Sequence, residues 1–532
     1  MNINLIPPES PIAQARANIS GSADMYGACS IETFSSASPL GLTHDDAFGW
    51  IDYVTRWTAG NFWYGDGSVQ VWMYEETYDN WQDTYGADAV VAFYHSGHGN
   101  MDSNGVFQLP MGGVWDGRDW AFSNRMSLGN EQVKYLFWST CFSLRVLGGH
   151  SPIRTWHPVN KGLRMIFGYE TVSVDNPNYG KFFWEEWNKG KSFTQAFLDA
   201  SWRISSGQAP SVCACGADAT DALNRLNNER LFYSGGGWNN WYQWRWYYSR
   251  AAATPAKVAD MPAKMMIAEF EPVDHQGLAG RMADAFGIGS SKEAGMDARG
   301  NLVFTKGETS LHVNKAGHFD AALAKINFEN KKQIDSKKAQ SVAEKLVKDR
   351  GLDKIAAVEL ANIRYGYTQG GSADDAGKLP DAHVTDTTFE FRQIINGMRV
   401  ISPDAGVLRI TVDNDGKVTD VHSSVRAVAK LSAKPKFSGK TPPDPSDPKA
   451  RAGEAVVTEA SLDKAFNALL SGITNKMGGN IRSGAKAAEI VSSEIGYDAT
   501  LNHGGIVANR EYELDLGNGL KKRYQLQVPI FQ

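Results

Sequence analysis

Residues 90–99 read Val-Val-Ala-Phe-Tyr-His-Ser-Gly-His-Gly: an apolar strand that runs straight into two histidines and two glycines. A buried strand that stops at Gly97-His98-Gly99 delivers a titratable side chain to a sheet edge, through a turn that glycine makes at little cost. In an open parallel sheet, reactive groups collect beyond the carboxyl ends of strands, and neighbouring strands lie about 4.8 Å apart. The next apolar run, Tyr135-Leu136-Phe137-Trp138-Ser139-Thr140-Cys141, ends at a cysteine. Two successive strand ends therefore bring His98 and Cys141 to one edge. A thiol is a weak nucleophile at neutral pH unless an imidazole takes its proton, so the pair is chemically meaningful where either residue alone reads as core. Cys141 is the candidate nucleophile, His98 the candidate base and His95, inside the strand, the reserve. The backbone N–H groups of Gly99 and Cys141 are placed to hold an oxyanion.

These two runs, at 89–97 and 133–141, and two more, at 69–76 and 163–172, alternate with amphipathic stretches, the pattern of a mainly parallel sheet flanked by helices. Thr43 with Asp46, and Ser192 with Gln195, have capping-box spacing, so Asp45 and Asp46 read as helix-terminus carboxylates. The 532 residues suggest three or four units at roughly 100 to 200 residues each. All 16 tryptophans precede residue 250, and lysine becomes frequent only afterwards. The boundaries read as 1–250, 256–432, a Pro/Lys-rich linker at 433–453, and 454–532. The second unit reads as α+β, with helices at 277–288 and 336–352 and strand pairs at 387–402 and 406–423. The second pair turns at Asn414-Asp415-Gly416. An EF-hand reading of that turn fails, because the glycine falls at position 4 from Asp413 and Ser424 takes position 12.

A formal charge of -5 gives no basic field for nucleic acid, and no apolar run is long enough to span a membrane. Cys213 and Cys215 read as a cross-link or as core thiols. The opening MNINLIPPESPIAQ has no basic segment followed by an apolar one, so no secretory signal is read there. A metal site built from His95, His98, His150 and His157 lacks the i, i+4 helical spacing of a zincin.

The block Ser-Gly-His-Gly, a spacer, a second apolar block and a small residue before Cys resembles the caspase-like cysteine peptidases, the group of metacaspases, legumains, gingipains and CHAT peptidases. The stretch 162–204 is similar to the strand, loop and two helices beyond the catalytic cysteine in the gingipain-like and CHAT-like members, and the likeness covers residues 20–250. It implies a caspase-like α/β domain hydrolysing peptide bonds of a protein or peptide substrate, with His98 and Cys141 as the dyad and no cofactor. Metacaspases usually carry an acidic residue just before the nucleophile, where this chain has Ser139-Thr140, so basic specificity does not carry over. Ser139, Glu170 and Asp175 are the candidate pocket residues. Residues 388–425 resemble the FTP and PepSY propeptide modules of secreted proteases, which implies a regulatory C-terminal half covering the active site from within residues 260–430, and a lean towards secretion. The rival reading is an inactive scaffold that binds peptide or glycan through the Trp-rich run 235–250.

Overall fold

The computed structural model describes residues 4–12, 25–57, 60–249, 264–289, 294–375, 377–433, 458–476 and 488–531. The linker at 433–453 lies, but for its first residue, outside the described residues, as does the junction Ala251–Pro255. The chain is mixed α/β, built on one large mixed sheet.

Five strands of the N-terminal part are parallel: β1 (Tyr26–Ser30), β2 (Phe62–Gly65), β3 (Ala92–Ser96), β4 (Tyr135–Ser139) and β5 (Met165–Tyr169). They stand in the order β2-β1-β3-β4-β5. Two antiparallel strands, β6 (Pro210–Gly216) and β7 (Trp241–Ser249), continue the sheet beyond β5. Helices α1 (Thr43–Val54), α2 (Tyr179–Trp187) and α3 (Phe193–Ile204) cover one face. There Trp50, Trp184 and Trp187 pack on Tyr94, Phe137 and Phe167. The opposite face carries Phe93, Leu136, Trp138, Ile166 and Trp244 under Trp156 and the segment 69–74.

The run 69–76, expected as a strand, is instead two short 3-10 turns, Val71–Met73 and Glu76–Tyr78. The place beside β1 is taken by β2, so Val71, Trp72 and Met73 bury themselves as a lid over the sheet. At α3, Ser192 caps as its spacing predicts, accepting the Gln195 N–H at 3.3 Å. At α1 the N-cap is Leu42, without a side-chain cap, and Asp46 turns inward under the sheet edge. Helix α4 (Ala219–Asn228) comes after β6.

The Trp-rich run becomes β7, and its residues Tyr242, Trp244 and Trp246 are core. Trp241 is half-buried and Trp238 exposed. Strand β7 does not end the sheet. Its far edge pairs from Trp241 to Ser249 with a long C-terminal strand, and that pairing joins the two halves of the chain.

The C-terminal half contributes α5 (His275–Phe286), the meander β8 (Leu302–Lys306), β9 (Thr309–Val313) and β10 (Phe319–Ala322), and α6 (Ser336–Asp349). Then come β11 (Val358–Ser372), β12 (His383–Ile395), β13 (Val407–Asp413) and β14 (Val418–Ser423). The seam partner of β7 is β11, and from it the sheet runs β11-β12-β13-β14-β10-β9-β8, all antiparallel. The β13–β14 hairpin turns at Asn414-Asp415-Gly416 as the sequence predicts, with Gly416 at φ +78°. Asp274 and Asp335 cap α5 and α6, and Ala279, Ala283, Ala339 and Ala343 let both helices pack closely on this part of the sheet.

A second, smaller sheet holds β15 (Glu489–Asp498), β16 (His503–Gly517) and β17 (Leu520–Phe531), with α7 (Glu459–Lys476) against it. Strands Ile267–Phe270 and Val428–Ser432, from the middle of the chain, complete it. The β16–β17 hairpin turns through Gly517, Asn518 and Gly519, all at positive φ. Its tip meets the N-terminal part of the chain: a Cβ on Gly519 would lie 2.5 Å from Nδ2 of Asn100.

Candidate active site

Parallel pairing sets Ser96 at the end of β3 beside Ser139 at the end of β4, so the segments beyond both strands leave the sheet at one edge. The two loops touch. A Cβ on Gly99 would fall 2.8 Å from the carbonyl oxygen of Cys141 and 3.0 Å from Cβ of Thr140, an approach open to glycine alone. Directly after the cysteine, Phe142 takes a left-handed conformation at φ +57°, and the Ser143 hydroxyl donates to the Thr140 carbonyl at 3.0 Å. The chain thus reverses sharply with Cys141 at the bend.

His98 is fully buried, with its ring 4.8 Å from that of Phe34. Its Nε2 lies 2.9 Å from the Ser38 carbonyl oxygen. A carbonyl only accepts, so Nε2 carries the proton and Nδ1 keeps its lone pair. Nδ1 has no hydrogen-bond partner. Burial, then the positive charge of Lys522, push the imidazole pKa down to about 3, against the Ser38 carbonyl, which favours the charged form. The His98 imidazole is thus neutral at pH 7.

Cys141 is equally buried. Its sulfur accepts the Ser173 N–H at 3.3 Å, lies 3.4 Å from the Ser173 hydroxyl, and donates to the Lys521 carbonyl at 3.2 Å. No hydrogen bond joins the thiol to His98; their segments meet through Gly99.

The three candidate pocket residues do not converge. The Ser139 hydroxyl bonds to the Asp46 carboxylate beneath the sheet edge. Glu170 is spent on the turn after the cysteine, where it accepts from the N–H of Val146 and of Leu147 and lies 3.5 Å from Arg145. Asp175 alone lies near the thiol's surroundings. It accepts the Gly41 N–H at 3.1 Å, burial raises its carboxyl pKa, and the charge of Lys522 opposes that rise. The reserve base, His95, points to the other face of the sheet, bonded through Nδ1 to the Tyr74 hydroxyl at 2.8 Å and packed on Trp138.

The histidines of the metal reading are dispersed: His150 bonds Arg145 and His157 packs on Tyr242. Among the described residues no group of three or more His, Cys, Asp or Glu side chains is arranged to hold a metal. Cys213 and Cys215 are free buried thiols of β6, so the cross-link reading is corrected to core packing.

Five residues at the site escape a sequence reading. Ser38 contributes a carbonyl, which any residue supplies. Asp46 accepts from Tyr94 at 2.8 Å, Ser96 at 2.7 Å and the Gly180 N–H at 2.9 Å, locking the ends of β3 and β4 to α1 and α2. Its position three residues after Thr43 imitates a cap and conceals that role. Ser173, which bonds the thiol, Lys522, which bonds Ser173, and Tyr524, whose hydroxyl feels the charge of Cys141, come together only in three dimensions.

Residues 28–248 are similar to a family described as a domain of unknown function, DUF6345. That span is the N-terminal sheet from β1 to β7 with its helices, and it includes both His98 and Cys141. None of the curated proteins and none of the solved structures compared with the chain matches it.

Proposed function

We propose that the N-terminal part of the chain is a cysteine peptidase of the caspase-like type, with Cys141 as nucleophile and His98 as base. The observation that carries the reading is the closure of two successive parallel strand ends through Gly99. It sets the segment that carries a buried thiol against the segment that carries a neutral imidazole whose tautomer is fixed by Ser38. The strand order β2-β1-β3-β4-β5 with antiparallel β6 is consistent with that fold.

In this reading the Cys141 thiol gives its proton to Nδ1 of His98, and sulfur attacks the substrate carbonyl carbon. The Gly99 and Cys141 N–H groups hold the oxyanion. The C–N bond then breaks, the amine leaves with the proton from His98, and water hydrolyses the thioester. Nε2–H stays on the Ser38 carbonyl throughout, so the imidazolium forms already oriented. The C-terminal half, in which residues 388–425 resemble propeptide modules, regulates the site.

The test is turnover of a peptide library by the full chain and its variants. Cys141→Ala and His98→Ala should each abolish cleavage, whereas His95→Ala should retain it. Cleavage that survives Cys141→Ala would sink the assignment.

A further inference from the structure

We infer that the cleft at Cys141 is a binding site for an extended, lysine-bearing peptide and that the chain's own strand β17 occupies it, with the Lys522 side chain filling the pocket at Ser173 and Asp175. The inference rests on the peptidase reading for what the cleft does, but its geometry stands separately.

Strand β17 lies along the segment after β5 as a bound peptide would. Val174 and Arg523 form a parallel bridge: the Arg523 N–H donates to the Ser173 carbonyl at 3.2 Å, and the Asp175 N–H to the Arg523 carbonyl at 2.9 Å. Main-chain pairing of this kind recognises any extended chain, and the alternate side chains supply the specificity. Lys522 and Tyr524 are those side chains; both face inward and are buried, while Lys521 and Arg523 pair outward with Glu513.

A lysine is almost never fully buried unless paired. Lys522 is only 2% exposed, with Nζ 3.2 Å from the Ser173 hydroxyl and its charge acting on Asp175. An ammonium held this way marks a site with chemistry for a cationic side chain. Flanking contacts seat the strand: Arg523 donates to the Gly207 carbonyl at 2.5 Å, Gln525 to the Ile204 carbonyl at 3.0 Å, and the hairpin tip packs on Asn100.

The same lysine silences the site in two ways. It excludes another peptide, and its positive charge makes the His98 imidazolium costlier to form. The thiol meanwhile bonds to the Lys521 carbonyl oxygen, a resting contact in which no bond is made or broken.

The experiment uses the full chain and the variants Lys522→Met and Lys522→Asp. Iodoacetamide labelling at pH 7 is followed cysteine by cysteine in peptide mass spectra. Cys141 should react at least tenfold faster in both variants, while buried Cys29, Cys213 and Cys215 stay slow. A synthetic peptide matching residues 519–526 should slow Cys141 again in Lys522→Asp, and the same peptide with methionine at the position of Lys522 should not. Equal Cys141 rates in all three proteins overturn the inference. So does a rise that the other three thiols share in Lys522→Met, since the strand would then be core and not an occupant. Cleavage of a peptide library is scored on the same samples. Cleavage without preference for a basic residue removes the pocket assignment. Fast labelling of Cys141 with no cleavage retains the occupied cleft and removes the peptidase.

Discussion

Nε2 of His98 donates its proton to the carbonyl oxygen of Ser38 across 2.9 Å, which leaves Nδ1 as a buried base with nothing bound to it. The His98 ring should therefore give the Nε2–H neutral pattern in nitrogen-15 spectra from pH 8 down to about 4, because burial holds its pKa near 3. An unfolded histidine takes up a proton near pH 6.5, the folded ring only near 3, so the unfolded state binds more protons between those values. The stability that a neutral His98 contributes is present above about pH 6.5 and is lost as pH falls. The stability difference between wild type and His98→Gln should accordingly shrink by up to about 1.4 kcal/mol per pH unit between pH 6 and 4. Urea melts at three pH values measure it.

Asp46 is the joint beneath the two strand ends. Asp46→Ala leaves the Tyr94 and Ser96 hydroxyls and the Gly180 N–H without their acceptor, all of them buried. The expected loss is about 2 to 4 kcal/mol, seen as a lower urea midpoint at unchanged slope. Asp46→Asn keeps an acceptor oxygen and should cost less.

Gly99→Ala places a methyl 2.7 Å from the Phe107 ring and 2.8 Å from the Cys141 carbonyl oxygen. The backbone oxygen cannot swing aside, so the loops at the two strand ends must part. A destabilisation of about 1 to 3 kcal/mol is expected, with cleavage reduced more than stability alone explains. Kinetics at a temperature well below the melting point separates the two effects.

The seam between β7 and β11 is reinforced by a buried ion pair, Arg245 to Asp386 at 2.5 Å. Because every tryptophan precedes residue 250, fluorescence reports the N-terminal part alone, whereas far-UV circular dichroism reports the whole chain. The two urea transitions should coincide. In Asp386→Ala, which strands a buried guanidinium at a cost of about 3 to 5 kcal/mol, both should move together. Separate transitions in the wild type would mean that the halves fold independently.

The features legible in the sequence were local ones. The runs ending at His98 and Cys141 are strands because they are apolar on both faces and stop at glycine or serine. The β13–β14 turn and the Ser192 cap arise from residue chemistry within four positions. The run at 69–76 misled because apolarity records burial and not pairing, and the neighbouring place in the sheet was already filled by Phe62–Gly65. The cover of the cysteine is expected from within residues 260–430, yet the Lys521 carbonyl accepts from its thiol and Lys522 bonds the neighbouring Ser173. Nothing in KKRYQ signals that role, because the groove it fills is built some 350 residues earlier in the chain.

Strand β7 has a further consequence during synthesis. Its partner β11 leaves the ribosome roughly 120 residues later, which at 5–20 residues per second is a delay of roughly 6 to 25 s. For that interval an aromatic strand, WYQWRWYYS, presents a long open edge with its sheet partner not yet made. A nascent chain stalled or cut before residue 358 would carry that edge permanently, and such fragments are the form of this protein most exposed to aggregation or to capture by a chaperone.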